Sequence, residues 1–280
     1  MLLTPLLWGA TFPGGKLALE ALNPFTFMAW SRVLGTLTIA VAMVRFGGLS
    51  DVSPRRVGGL GLLLGGLLFT GYVLQTLGLE GTTATNAGFI TGLYVVFTPL
   101  LELVLFRRPA GPWVWIAVTV SVTGLGLLST ESTSSLRPRP GDLLVLASAL
   151  AWAGHVVALA HFAPRWPTHV VSAAQLAVAA LLHCIAAVPA GPQVDAALSV
   201  APLLVLTGVL GTGVAFTLQI AAQKEIGAAR AAVILAGESL VSALVSLVWL
   251  GERLRAHQWL GAALLVGAMV LSESTARRRE

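Results

Sequence analysis

Glu238 sits about seven residues inside AAVILAGESLVSALVSLVWLGE (residues 231–252), an otherwise apolar run. An acid at the centre of a membrane-crossing helix costs roughly 2.5–3.5 kcal/mol on insertion scales, so intramembrane acids are functional candidates by default. At that depth the carboxyl is expected either to hold a cationic group or to exchange a proton. Two more residues join it as charge or coupling candidates. Arg32 lies about eight residues into another apolar run, where it either snorkels to an interface or neutralises a buried acid. His155 is either a polar cavity residue or a neutral ring bonded to backbone. Glu102, close to Arg107 and Arg108, is expected in an interfacial ion pair. No spacing of His, Cys, Asp or Glu resembles a metal site, HExxH is absent, and no metal or cofactor is expected.

The other polar residues inside apolar runs fall at helical spacing, which marks the face turned away from lipid. Thr4, Trp8 and Thr11 share one face, as do Ser148, Trp152 and His155. Gly71, Tyr72 and Gln75 form a third face, answered by Ala215, Phe216 and Gln219. Asn86, Tyr94, Thr98 and Glu102 form a stripe, answered by Arg230, Glu238, Ser242 and Ser246. Candidate substrate-binding residues are therefore Trp8, Gln75, Asn86, Tyr94, Trp152, His155, Phe216, Gln219 and Glu238. The aromatics supply walls suited to an amphipathic ligand, the amides and imidazole hydrogen bonds, and Glu238 a charge. For each a structural role stands beside this one. The tryptophans suit an interfacial belt, and the glutamines suit contacts between helices. Thr4 and Ser148 are expected to bond back to their own helices. Gly61/Gly65 and Gly88/Gly92 are expected at close helix contacts, and Cys184 as a small buried residue.

These residues need a bilayer to position them. The 280-residue chain is 56% hydrophobic and only 10% charged, against about 25% charged in soluble domains, and its mean hydropathy is +0.86. Apolar runs near the ~20 residues that cross a bilayer are predicted at 2–21, 25–46, 57–79, 86–106, 113–130, 141–161, 168–188, 199–221, 231–250 and 257–273. Turn signals such as Asn23-Pro24 and Arg137-Pro138-Arg139-Pro140 separate them. The beginning, MLLTPLLWGATFPGGK, lacks a basic leader and reads as a first spanning helix. Ten spans put both termini on one side. With that side cytoplasmic, inside segments hold 11 Lys and Arg and outside segments five, the bias expected of inside loops. The formal charge of +5 thus reflects basic loops, and no nucleic-acid partner is expected. The partners expected are the lipid bilayer and a small-molecule substrate, with proton coupling through Glu238 open and no oligomeric state set.

The halves repeat at an offset of 144. Trp8 falls on Trp152, Gln75 on Gln219 and Trp115 on Trp259, and LQTLGLEGTTATNAGF matches LQIAAQKEIGAARAAV. Five spans per half invert the second half relative to the first. The predicted fold is all-α integral membrane: ten transmembrane helices as two inverted-topology five-helix repeats, residues 1–136 and 137–280. Such repeats commonly place a substrate site near mid-membrane and work by alternating access.

Four stretches carry a family resemblance: LLWGATFPGGK (6–16), Arg32 after NPFTFMAWS, TTATNAGFITGLYVVFTPLLE (82–102) and LGERLRAHQWLGAALLVGAMVL (250–271). The chain resembles the ten-helix EamA-type members of the drug/metabolite transporter superfamily over essentially its whole length. The resemblance implies a central cavity and transport, often export, of small metabolites such as amino acids across the bacterial inner membrane, without ATP. A facilitative drug or xenobiotic exporter and a non-transporting membrane scaffold remain as alternatives. A membrane-embedded enzyme lacks any supporting motif. Many relatives carry Glu-Pro in the ninth helix where this chain has Glu238-Ser239, and the missing proline is expected to straighten that helix.

Overall fold

The computed structural model describes residues 1–46, 54–82, 84–129, 140–249 and 253–277. The described residues are helical, with no strands among them. The helices are α1 (Leu3–Ala18), α2 (Pro24–Phe46), α3 (Pro54–Glu80), α4 (Ala84–Gly92), α5 (Tyr94–Phe106), α6 (Pro112–Ser129), α7 (Pro140–Phe162) and α8 (Thr168–Ala187). Then come α9 (Val194–Ser199), α10 (Ala201–Leu204), a π-helical segment (Val205–Val214), α11 (Ala215–Ile226), α12 (Ala228–Leu235), α13 (Glu238–Trp249) and α14 (Ala256–Arg277). Seven stretches are long and apolar enough to cross a membrane: Pro24–Phe46, Val57–Glu80, Ala87–Phe106, Pro140–Arg165, Thr168–Ala190, Ala201–Ile226 and Ala228–Trp249. Pro112–Leu128 and Ala256–Leu271 are shorter apolar helices. The chain is an integral, multi-pass membrane protein. Its outer faces carry Leu, Val and Ile side chains, as a lipid-facing surface requires.

Two predicted spans are interrupted near their middles. The run predicted at 86–106 breaks at Leu93, between α4 and α5. The run at 231–250 breaks at Ala236–Gly237, between α12 and α13. This corrects the expectation of a straight ninth helix: it breaks at Ala236–Gly237 without the proline. A β-carbon on Gly237 would lie 2.7 Å from Met269 Sδ, so α14 packs tightly against the break. The run predicted at 199–221 is also irregular, passing through α10 and the π-helical segment before α11. There the Thr212 hydroxyl donates to the Thr207 carbonyl five residues back, at 2.8 Å. Its counterpart at offset 144, residues 61–70, lies within the unbroken α3.

Small residues set the close contacts that hold these helices together. α3 lies against α7 and α8, α2 against α8 and the π segment, α1 against α13, and α6 against α14. A β-carbon on Gly35 would lie 2.5 Å from Thr212 Cγ2, and one on Gly9 would lie 2.5 Å from the Glu238 carbonyl oxygen. Backbones this close leave no room for a methyl group, the packing that joins helices in lipid. Gly65, 2.6 Å from Val178 by the same measure, and Gly92, 2.9 Å from Leu125, behave as predicted for close approach. Cys184 does not behave as predicted. It is exposed on α8, beside a lipid-side groove with Trp30, because the buried neighbour on that turn is His183.

Candidate functional site

Aromatic rings from four helices meet in the middle of the bundle. Trp8 on α1 lies 4.8 Å from Phe216 on α11, and Tyr72 on α3 lies 4.8 Å, edge-on, from Trp152 on α7. Trp152 and Phe216 stack at 6.3 Å, and the His155 ring meets Phe216 edge-on at 5.7 Å. Tilted and edge-on pairs at these separations are favourable aromatic arrangements. Gly71 admits the Trp152 indole, since a β-carbon there would lie 3.0 Å from that ring. The rings enclose a small cavity of about 40 Å³.

The cavity's charged and polar groups come mostly from the broken spans and the helices beside them. Glu238 is the first residue of α13 and only 4% exposed, so its carboxyl begins a half-helix inside the bundle. Helix N-termini favour negative charge, and broken helices of transporters present such ends to their sites. Tyr94 is likewise the first residue of α5, and its hydroxyl faces Glu238. Gln75 donates to the Thr91 hydroxyl at 2.9 Å, His155 Nε2 pairs with Gln175 Oε1 at 2.9 Å, and Gln219 donates to Gln223 at 3.0 Å. Trp8 Nε1 donates to the Gly211 carbonyl of the π segment at 2.7 Å. Among the described residues, Gln219 Oε1 and Trp152 Nε1 are buried without a hydrogen-bond partner, and the Tyr94 hydroxyl and Glu238 have none beyond each other. Buried polar atoms are nearly always paired, so this cluster offers unmet donors and acceptors to a solute.

The lining of the cavity obeys the 144-residue offset throughout. Its 14 residues form pairs: Trp8 with Trp152, Thr11 with His155, Phe12 with Val156, and Tyr72 with Phe216. The remaining pairs are Gln75 with Gln219, Thr91 with Leu235, and Tyr94 with Glu238. Of the predicted binding residues, Trp8, Gln75, Tyr94, Trp152, His155, Phe216, Gln219 and Glu238 all line this space. The side chain of Asn86 lies outside the described residues. Arg32 lines an adjoining cavity that shares Thr11, Phe12, Tyr72 and Gln75 with the first.

The remaining expectations meet mixed outcomes. His155 bonds to a side chain, Gln175, rather than to backbone. Thr4 finds no hydrogen-bond partner among the described residues, whereas Ser148 does bond back, to the Val145 carbonyl. Glu102 is half-buried beside His161, the Ala229 backbone N–H and Arg108, while Arg107 ends α5 in a left-handed conformation (φ 54°). Arg32 does not snorkel: it is 3% exposed and lies within the bundle. Sequence reasoning missed Gln175 and Gln223 as partners. A glutamine inside an apolar run was the available signal, as it was for Gln75. Among the described residues no group of three or more His, Cys, Asp or Glu converges as a metal site would require.

Comparison with known proteins agrees with this geometry. The model of the EamA-like transporter family matches residues 1–130 and again 139–273. An uncharacterized transporter of Archaeoglobus fulgidus is 29% identical over 269 residues, 96% of this chain and 83% of that protein. The uncharacterized transporter YwfM of Bacillus subtilis is 23% identical over 100% of this chain and 94% of its own length. The uncharacterized inner membrane transporter YicL of Salmonella typhimurium is 23% identical over 100% of this chain and 95% of its own length. A solved crystal structure superposes with a TM-score of 0.76 at 22% identity, covering 99% of this chain and 96% of the other, and so shares the fold. A multi-pass helical bundle whose polar groups converge on an internal cavity, matched end to end by transporters, is not an enzyme: the chain belongs to the EamA-like transporter family.

Proposed function

We propose that this chain exports a small organic metabolite, such as an amino acid, across the bacterial inner membrane by alternating access through the central cavity. The observation that carries this reading is the pairing of the cavity wall: every lining residue has its partner 144 positions away. Ten spans in two inverted repeats, 1–136 and 137–280, explain that pairing, since such folds build their site where the repeats face each other. The double family match and the matched breaks at Leu93 and Gly237 support the same division. The excess of basic residues in the proposed inside segments supports cytoplasmic termini.

In this reading Trp8, Tyr94, Trp152 and Phe216 wall the solute. Gln75, Asn86, His155 and Gln219 offer hydrogen bonds, and Glu238 supplies the charge and the proton-exchange group. Flux of labelled amino acids in proteoliposomes, with and without a pH gradient, tests it. Glu238→Gln is expected to slow transport and flatten its dependence on the gradient. Wild-type flux with unchanged pH dependence in that variant would remove Glu238 from the mechanism, and no flux under any gradient would favour a scaffold. The ring cage also suits facilitative export of apolar drugs. That alternative predicts flux indifferent to the pH gradient and competition by uncharged aromatic compounds.

A further inference from the structure

Arg32 is the charge that the proposed transport cycle leaves without a task. Its guanidinium carbon lies 3.6 Å above the Tyr72 ring. Among the described residues, its Nε and Nη1 are buried and find no hydrogen-bond partner. Tyr72 and His183 are its electrostatic neighbours, and no carboxylate among the described residues bonds to those two nitrogens. A cation held inside a membrane bundle normally pairs with an acid or with backbone carbonyls. Here the ring supports the guanidinium through a cation–π contact, and its N–H groups remain unspent.

Arg32 also lines a second, small cavity of about 40 Å³. Its walls include Arg32, Thr76 and Thr207, and it meets the central cavity at Tyr72 and Gln75. A guanidinium presents a planar fork of donors matched to two oxygens of a carboxylate. The repeat offset sharpens the point. The residue 144 positions from Arg32 is the buried Leu176, just as the residue 144 positions from Glu238 is Tyr94. In the lining of the two cavities each half thus contributes one charge without a charged counterpart, of opposite sign, and Tyr72 walls both cavities.

We propose that the Arg32 cavity is an anion subsite that takes the carboxylate of the transported solute while its apolar body lies in the ring cage. This assignment rests on the transport reading above.

The test uses the full chain in nanodiscs, with binding read by isothermal titration calorimetry. The probes are L-phenylalanine, 3-phenylpropanoate and phenethylamine, which share a ring and differ in carboxylate and amine. Both carboxylates are expected to bind at least tenfold more tightly than phenethylamine. Arg32→Gln is expected to abolish that preference, and Arg32→Lys, which keeps the charge but loses the fork, to retain part of it. 3-Phenylpropanoate binding as well as L-phenylalanine would assign recognition to the carboxylate alone. L-phenylalanine binding more tightly than 3-phenylpropanoate, with both still at least tenfold ahead of phenethylamine, would add Glu238 as the amine's partner, and either result supports the subsite. Equal binding of phenethylamine, no binding of any probe, or a preference that survives Arg32→Gln would overturn it. Should Arg32→Gln fail to fold, the three probes on the wild-type chain and on Arg32→Lys still decide. Flux without a carboxylate preference overturns the subsite alone; carboxylate binding without flux overturns the transport reading alone.

Discussion

Adjacent glycines on α3 should respond to the same substitution with opposite sign. A β-carbon on Gly65 would lie 2.6 Å from Val178 Cβ and 2.8 Å from the Gln175 carbonyl oxygen. Carbon atoms pack no closer than about 3.5 Å, so Gly65→Ala is short of room by about 0.9 Å. Truncating Val178 to Ala gives no relief, because the clash is with its Cβ and with backbone. α8 must move away from α3 as a body. Overpacking of this kind costs about 1–3 kcal/mol. A β-carbon on Gly66 would meet nothing within 4 Å, so Gly66→Ala keeps only the helix-propensity gain of up to about 1 kcal/mol. Both variants receive that gain, so they should differ by about 1–3 kcal/mol, with Gly66→Ala the more stable. Thermal unfolding of both in one detergent at one scan rate measures the difference. Gly65→Ala should also slow transport, because the moving turn carries Gln175 and with it the 2.9 Å contact to His155. Gly65→Ala unfolding at or above the temperature of Gly66→Ala would refute the close packing of α3 on α8.

Three further outcomes follow from single contacts. Ser239→Ala should cost about 1–3 kcal/mol, because it removes the buried hydroxyl's bond to the Gly88 carbonyl, whereas Val241→Pro removes the bond to the Gly237 carbonyl and should cost about 3 kcal/mol or more. Thermal unfolding of the pair measures both losses. Gln175→Leu should cost about 1–3 kcal/mol by leaving the buried His155 Nε2 unpaired. The double variant with His155→Leu should recover most of that loss, and a double-mutant cycle reads the coupling. Trp8→Phe keeps a ring against Phe216 but loses the bond to the Gly211 carbonyl, worth about 0.5–1.5 kcal/mol. Hydrogen exchange across residues 205–214 should accelerate in that variant.

Sequence made the cavity legible because rare residues in apolar runs carry position information. Two tryptophans and two glutamines at one offset located the ring wall, and a lone acid located the cavity's carboxylate. What stayed hidden depends on hydrogen-bond register and on tertiary neighbours. Hydropathy treats Leu93 and Ala236–Gly237 as continuous apolar helix, since a break changes backbone bonding and not side-chain type. Cys184 looked buried because composition cannot say which turn of α8 faces lipid. The partners of Arg32 and His155 sit on other helices, Tyr72 on α3 and Gln175 on α8. Nothing in the local sequence around either residue encodes those meetings.

The π-helical segment makes the two halves mechanically unequal. Its i→i+5 bonding spends more residues per turn than α3 spends over the counterpart stretch 61–70. The chain before Phe216 and Gln219 therefore holds slack that the chain before Tyr72 and Gln75 does not. Recovering one residue of α-helical register there turns everything downstream by about 100° and slides it about 1.5 Å. Such a step would swing Phe216 and Gln219 off the cavity wall and leave their counterparts in place. The Trp8 bond to Gly211 is the pin across that slack.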